Sequence, residues 1–131
     1  YEMEHIVSKI ESTGNRNILI TERGTMFGYN NLITDIRGLS IIKKLGYPVI
    51  FDATHSVQLP GASTISGGES EFVPILSKAA VTVGISSVFI ETHENPSKAP
   101  SDGSSMLALD KLSEVLNEIK LFDAVTKNSI V

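Results

Sequence analysis

The chain has 131 residues, 41% hydrophobic and 20% charged, with a formal net charge of −4. That length holds one modest domain with a real core, and the acidic balance argues against nucleic acid or an anionic membrane surface as the main partner. No apolar stretch approaches the roughly 20 residues that cross a bilayer and no signal peptide is visible. The absence of cysteine excludes disulfides and thiolate metal ligands from this chain, and a cytoplasmic enzyme fits these bounds.

The sequence opens Tyr1-Glu2-Met3-Glu4 and runs straight into an amphipathic pattern, Met3, Ile6, Val7, Ile10. That start reads as the middle of a longer protein, or as a trimmed N-terminus. Residues 2–12 predict a helix, closed by the turn signal Thr13-Gly14-Asn15. The apolar run Asn17–Thr21 predicts a first strand ending at Glu22, and residues 24–31 a loop. Leu32, Ile36, Leu39 and Ile42–Leu45 form a helical stripe that Gly46-Tyr47-Pro48 breaks. Val49–Phe51 predicts the second strand, followed by a long loop, residues 56–68, of the kind that is functional or disordered. Phe72, Val73, Leu76, Ala79, Ala80 and Val83 make another helical face, and Val88–Ile90 the third strand. A polar loop over residues 94–105 leads to a last helix over residues 106–126, with Leu109, Leu112, Leu116, Ile119 and Phe122 on one side.

Continuous β-branched and aromatic runs predict strands buried on both faces, as in a parallel sheet. Strands about 30 to 40 residues apart, with helices between them, are the scale of a strand-loop-helix unit. Three such units cannot close a barrel, and an open three-stranded sheet leaves two apolar edges. The expected fold class is therefore α/β. It is either a small doubly wound domain or the C-terminal part of an eight-fold barrel, a fold of about 250 residues.

Three ionisable clusters, Glu22-Arg23, Asp52-Ala53-Thr54-His55 and Glu91-Thr92-His93, sit just after the three apolar runs. Charge at the end of a buried strand costs energy unless it is paired, hydrated or working, and in parallel α/β folds the reacting groups gather at that end. His55, Glu91 and Asp102 together offer one imidazole and two carboxylates, a donor set suited to Mn, Fe or Zn over Ca. Against that stand a strand-end His55 satisfied by a backbone carbonyl and an Asp102 serving only the turn Ser101-Asp102-Gly103-Ser104. Arg23, before Gly24, offers a bidentate grip on phosphate or carboxylate, or else a structural pair with Glu22 or Asp52. Ser66-Gly67-Gly68 could present N–H groups to an anion, or form a hinge. His93 could act as an acid/base or phosphate contact, or be a solvated loop histidine.

Four strings are collectively specific: Thr21–Leu32 (TERGTMFGYNNL), Val49–Gln58 (VIFDATHSVQ), Ser66–Phe72 (SGGESEF) and Phe89–Gly103, with its FIETHENP and SDG ends. Together, in order and across essentially the whole chain, they resemble the 3-deoxy-D-manno-octulosonate 8-phosphate synthase family, over the second half of its barrel. The resemblance implies the C-terminal half of a (β/α)8 TIM barrel, roughly helix 5 to helix 8, as a single partial domain over residues 1–131. It also implies condensation of phosphoenolpyruvate with D-arabinose 5-phosphate, using water and releasing phosphate, in lipopolysaccharide biosynthesis. Arg23 matches the arginine that grips the phosphoenolpyruvate phosphate. His55, Glu91 and Asp102 match the metal ligands and catalytic centre of the metal-dependent class, and Asn31, Gln58 and His93 fall at substrate contacts. The implied cofactor is a divalent metal ion and the implied assembly a homo-oligomer, a tetramer.

The family's fourth metal ligand, a cysteine, and its substrate-binding lysines belong to the first half of the barrel. Where the family commonly carries an arginine after the Gly-Gly of the long loop, this chain has Glu69-Ser70-Glu71. Ser101-Asp102-Gly103 mixes features of the metal-dependent and metal-independent classes, and Gln58-Leu59-Pro60-Gly61 leans to the former. Two rival readings use the same residues. In one, a split half-barrel is inactive until it meets its complement; in the other, a metal-dependent hydrolase uses the His/Glu/Asp set but leaves Arg23-Gly24 unexplained.

Overall fold

The computed structural model describes residues 2–27, 29, 31–60 and 67–129. Helix α1 spans Glu2–Glu11, acidic in its first turn and carrying Lys9 in its last, as the helix dipole favours. Strand β1, Ile20–Glu22, is followed by the two-residue strands β2, Thr25–Met26, and β3, Leu32–Ile33, which pair antiparallel. Helix α2, Ile36–Lys43, starts where the Asp35 carboxylate accepts the Arg37 N–H. Strand β4, Val49–Asp52, leads into a 3₁₀ turn at His55–Val57 and a second small ladder, β5 (Gln58–Leu59) with β6 (Gly67–Gly68). Helix α3, Val73–Val81, has Pro74 in its first turn, where no N–H is missed. Strand β7, Ser87–Phe89, precedes β8, Thr92–His93, and β9, Leu107–Ala108, which pair parallel; α4 then runs over Leu112–Ser129.

The central sheet has the order β1-β4-β7, all parallel. Ile20 lies opposite Val49, and Phe51 opposite both Glu22 and Val88. Ile18, Ile20, Val49 and Phe51 are buried. Ile18 and Ile20 pack with Val7 and Ile10 of α1, while Val49 and Phe51 share a core with Leu39 of α2, Ala80 of α3 and Val115 and Ile119 of α4. All four helices therefore cover the same face. Side chains of a strand alternate between faces, and the alternate set points the other way: Leu19 is 65% and Phe89 44% exposed, and Thr21 and Ser87 are exposed too.

Three boundaries differ from the sequence expectation. Leu32 belongs to the β2–β3 hairpin, so α2 begins four residues later, where Asp35 supplies a cap. Within the long loop, residues 58–59 and 67–68 are tied into a ladder, while residues 61–66, including Ser66, lie outside the described residues. Met106–Leu109 does not open the last helix. The Leu107 N–H donates to the Glu91 carbonyl at 3.1 Å, and that parallel pairing holds the segment extended before a 3₁₀ turn at Leu109–Lys111.

Candidate metal and anion site

The site is built at the C-terminal ends of β4 and β7. Asp52 is the last residue of β4, and its carboxylate holds His55 twice. Oδ1 accepts the His55 backbone N–H at 2.9 Å, and Oδ2 lies 2.7 Å from Nδ1. Asp52 thus pairs with His55 and not with Arg23. An ionised carboxylate only accepts, so Nδ1 carries the proton and Nε2 keeps its lone pair. Nε2 faces Glu91, whose Oε1 is 3.8 Å away. The ring stacks near Phe89, with centroids 6.1 Å apart and planes inclined at 26°.

Glu91, just past β7, is fixed by its backbone. Its N–H donates to Thr54 Oγ1 at 2.7 Å, and Thr54 is 0% exposed. Asp102 comes from the distant loop between β8 and β9. It is the one non-glycine residue with positive φ, 53°, among the described residues, a conformation that is uncommon outside glycine and that Asp tolerates better than most. Its carbonyl accepts N–H bonds from Ser105 at 2.8 Å and Met106 at 3.1 Å. Gly103 follows in tight contact with the Pro96 carbonyl, which leaves no room for a Cβ.

One nitrogen or oxygen from each of His55, Glu91 and Asp102 lies within 4.8 Å of the others, and all three residues are half-buried. Opposite ligands of one ion with bonds of about 2.1 Å stand about 4 Å apart. The donor set, one imidazole whose far nitrogen is anchored by a carboxylate plus two carboxylates, fits a divalent transition ion.

Gln58 joins this cluster to Arg23. Its Nε2 donates to Asp102 Oδ1 at 2.6 Å, and its Oε1 accepts from Arg23 Nη1 at 3.4 Å. Arg23 is otherwise exposed and takes part in no ion pair among the described residues. Neither structural pairing considered for it, with Glu22 or with Asp52, is formed. Glu22 instead accepts the Gly24 N–H. Gly24, at φ +90°, adopts a left-handed turn in which a Cβ would stand 3.0 Å from the Ile33 carbonyl oxygen, so this glycine serves the hairpin.

The remaining expected site residues are spread around this centre. Asn31, Gln58 and Glu69 line a cavity of about 110 Å³, and Asn31 Oδ1 is buried there without a partner among the described residues. His93 accepts the Asn95 N–H on Nδ1 at 2.9 Å and is not one of the three clustered ligands. Gly67-Gly68 is no free hinge. It lies in β6, and Gly68 packs so closely on Ser105 that a Cβ would collide with the Ser105 hydroxyl. Thr54 was not singled out by sequence. The available signal was a hydroxyl residue directly beside the histidine of a strand-end cluster.

Parallel strands covered by helices, with His55, Glu91, Asp102 and Arg23 gathered at the strands' C-terminal ends, define an α/β protein. Comparison with protein families makes this specific: residues 1–127 match, and the chain belongs to, the DAHP synthetase I family. The chain is 55% identical over 128 residues to the 2-dehydro-3-deoxyphosphooctonate aldolase of Granulibacter bethesdensis, covering 97% of this chain and 45% of that protein. The protein of the same name from Xanthomonas campestris pv. campestris is also 55% identical, with 97% and 46% covered. That from Francisella tularensis subsp. novicida is 53% identical over 129 residues, with 98% and 47% covered. The chain thus spans about half the length of the curated relatives it matches. Among the described residues no helix is long and apolar enough to cross a membrane.

Proposed function

We propose that this chain is the C-terminal half of a (β/α)8 barrel, from about helix 5 to helix 8, of a 3-deoxy-D-manno-octulosonate 8-phosphate synthase. The reaction joins phosphoenolpyruvate to D-arabinose 5-phosphate, consumes water and releases phosphate. The observation that carries this reading is the convergence of His55, Glu91 and Asp102 with Arg23 tied to them through Gln58. Two further facts support the half-barrel. Every helix covers one face of the sheet, as in a barrel whose other face turns inward, and the relatives are about twice as long.

In this reading Arg23 neutralises and orients the phosphate of phosphoenolpyruvate, with donors free for a bidentate grip. His55 Nε2, Glu91 and Asp102 hold a divalent ion of the Mn, Fe or Zn class. When bound, the ion supplies Lewis acidity and lowers the pKa of a bound water. Asp52 keeps the proton on His55 Nδ1, and Thr54 and Gln58 keep Glu91 and Asp102 facing His55 Nε2. The carboxylates of Glu91 and Asp102, each with a second oxygen, would be the groups at the centre able to accept a proton from water, whereas His55, protonated on Nδ1 and with Nε2 given to the ion, would not. Asn31 and His93 extend the substrate surface, and the complete protein is a cytoplasmic homo-oligomer, a tetramer as its family resemblance implies.

The test is a chimera in which residues 1–131 follow the first half of the Granulibacter bethesdensis relative. Phosphate release that requires both substrates and a divalent cation is expected, with negligible turnover by residues 1–131 alone. A folded chimera without turnover overturns the assignment; robust turnover by residues 1–131 alone overturns the half-barrel. Activity restored by mixing two separately made halves identifies a chain that works by association.

A further inference from the structure

We infer that Gln58 is a positioning residue that fixes the Asp102 carboxylate as a metal ligand and ties it to Arg23; this rests on the metal-site reading above. The chemistry of its two neighbours leaves one arrangement of its amide. A guanidinium has no acceptor and an ionised carboxylate no donor. The oxygen must therefore face Arg23 and the nitrogen Asp102, the arrangement found at 3.4 and 2.6 Å.

Asp102 needs such support more than its two companions. His55 and Glu91 follow closely on strands of the central sheet; Asp52 holds the His55 ring and backbone, and Thr54 holds the Glu91 backbone N–H. Asp102 stands in a loop with left-handed backbone geometry, φ 53°, pinned at Ser105 and Met106 through its carbonyl but not through its side chain. The Gln58 contact is the side-chain hydrogen bond to Asp102 within the described residues. Gln58 is itself immobilised, because β5 pairs with β6 and Gln58 lies opposite Gly68. Gly68 packs against Ser105, three residues past Asp102. The same small ladder thus positions both the loop that carries Asp102 and the amide that orients its carboxylate.

The consequence is a ligand set in which His55 is held by its ring, Glu91 by its backbone and Asp102 by an amide, with Arg23 on the far side of that amide. Gln58→Met keeps the length and packing of the side chain and removes both hydrogen bonds. Mn²⁺ binding to the full chain, followed by calorimetric titration and by the electron paramagnetic resonance line shape of the bound ion, reads the result. Removal of a residue that orients a ligand weakens metal binding about 10- to 100-fold. A loss in that range is expected for Gln58→Met, with an altered line shape and an unchanged circular dichroism spectrum and melting temperature. Gln58→Ala, with the same polar loss and less packing, should match it in affinity.

If the wild-type chain binds Mn²⁺ and both variants bind it equally well with the same line shape, the positioning role is wrong and the metal site stands. Where the variants lose metal only in proportion to a lost fold, Gln58 is structural and the proposal fails. Should the wild-type chain bind no Mn²⁺ at all, the metal site itself is overturned and the role of Gln58 with it.

Discussion

The carboxylate of Asp52 grips His55 at two points, the backbone N–H at 2.9 Å and the ring Nδ1 at 2.7 Å. One bond fixes where the histidine starts its turn and the other fixes which ring nitrogen is free. The pairing makes the end of β4 a tautomer selector, and it gives the sharpest test of the metal reading.

Asp52→Asn can keep the backbone contact through its amide oxygen while its NH₂ group meets Nδ1. A donor there moves the ring proton to Nε2 and removes the lone pair that faces Glu91. Metal affinity should fall about 10- to 100-fold in a chain whose circular dichroism is unchanged. Zinc or manganese titration of the two proteins checks this, and equal affinities would mean that Nε2 binds no metal.

Arg23→Ala should weaken binding of phosphate-bearing ligands about 10- to 150-fold, the range of a charge-assisted contact worth about 1.5–3 kcal/mol. Stability should barely change, because the side chain is exposed and its hydrogen bond among the described residues, to Gln58, is long at 3.4 Å. Arg23→Lys keeps the charge but not the fork, so it should recover only part of the affinity. Phosphoenolpyruvate titration of the chimera beside thermal melts separates the two effects. A variant that melts early and binds normally would make Arg23 a structural residue.

The sequence exposes some of this architecture well. Val49–Phe51 is legible as a strand because β-branched and aromatic side chains run without a break, although only Val49 and Phe51, on the helix-covered face, are buried and Ile50 is half-buried. The charged residues after it read as a rim because charge at the end of a buried strand costs energy unless it is paired, hydrated or working. Other features depend on contacts between distant segments. Leu107 falls within residues 106–126, which the sequence pattern assigns to the last helix, yet it is extended because its N–H finds the Glu91 carbonyl. The strands Thr25–Met26 and Leu32–Ile33 are too short to show any period. Gly67-Gly68 looks like a hinge until Ser105 is placed against it. The role of Thr54 rests on an N–H that lies 37 residues away.

Gly68→Ala tests that placement. The added Cβ would run into the Ser105 hydroxyl and crowd the backbone of Ser104 and Ser105. Overpacking of this kind costs about 1–3 kcal/mol, measured as a lower midpoint in urea. Since the displaced segment also carries Asp102, metal affinity should fall together with stability. An alanine variant as stable and as metal-competent as the parent would show that the contact between the β5–β6 ladder and residues 104–105 is absent in solution.

Thr54 supports the most separable prediction. Its side chain is fully buried, and its hydroxyl oxygen accepts the Glu91 N–H at 2.7 Å. Thr54→Val preserves shape and β-branching and replaces that oxygen with a methyl group. The half-buried Glu91 N–H then loses its acceptor, at a cost of about 1–3 kcal/mol, and the methyl pushes the Glu91 backbone away from His55. Both stability and metal affinity should drop. Thr54→Ser restores the oxygen and should recover metal affinity, while remaining somewhat less stable than the parent because it lacks the buried methyl. Chemical denaturation and metal titration of the three proteins decide the matter. If valine and serine behave alike in metal binding, Thr54 contributes packing alone and Glu91 is held in place by other contacts.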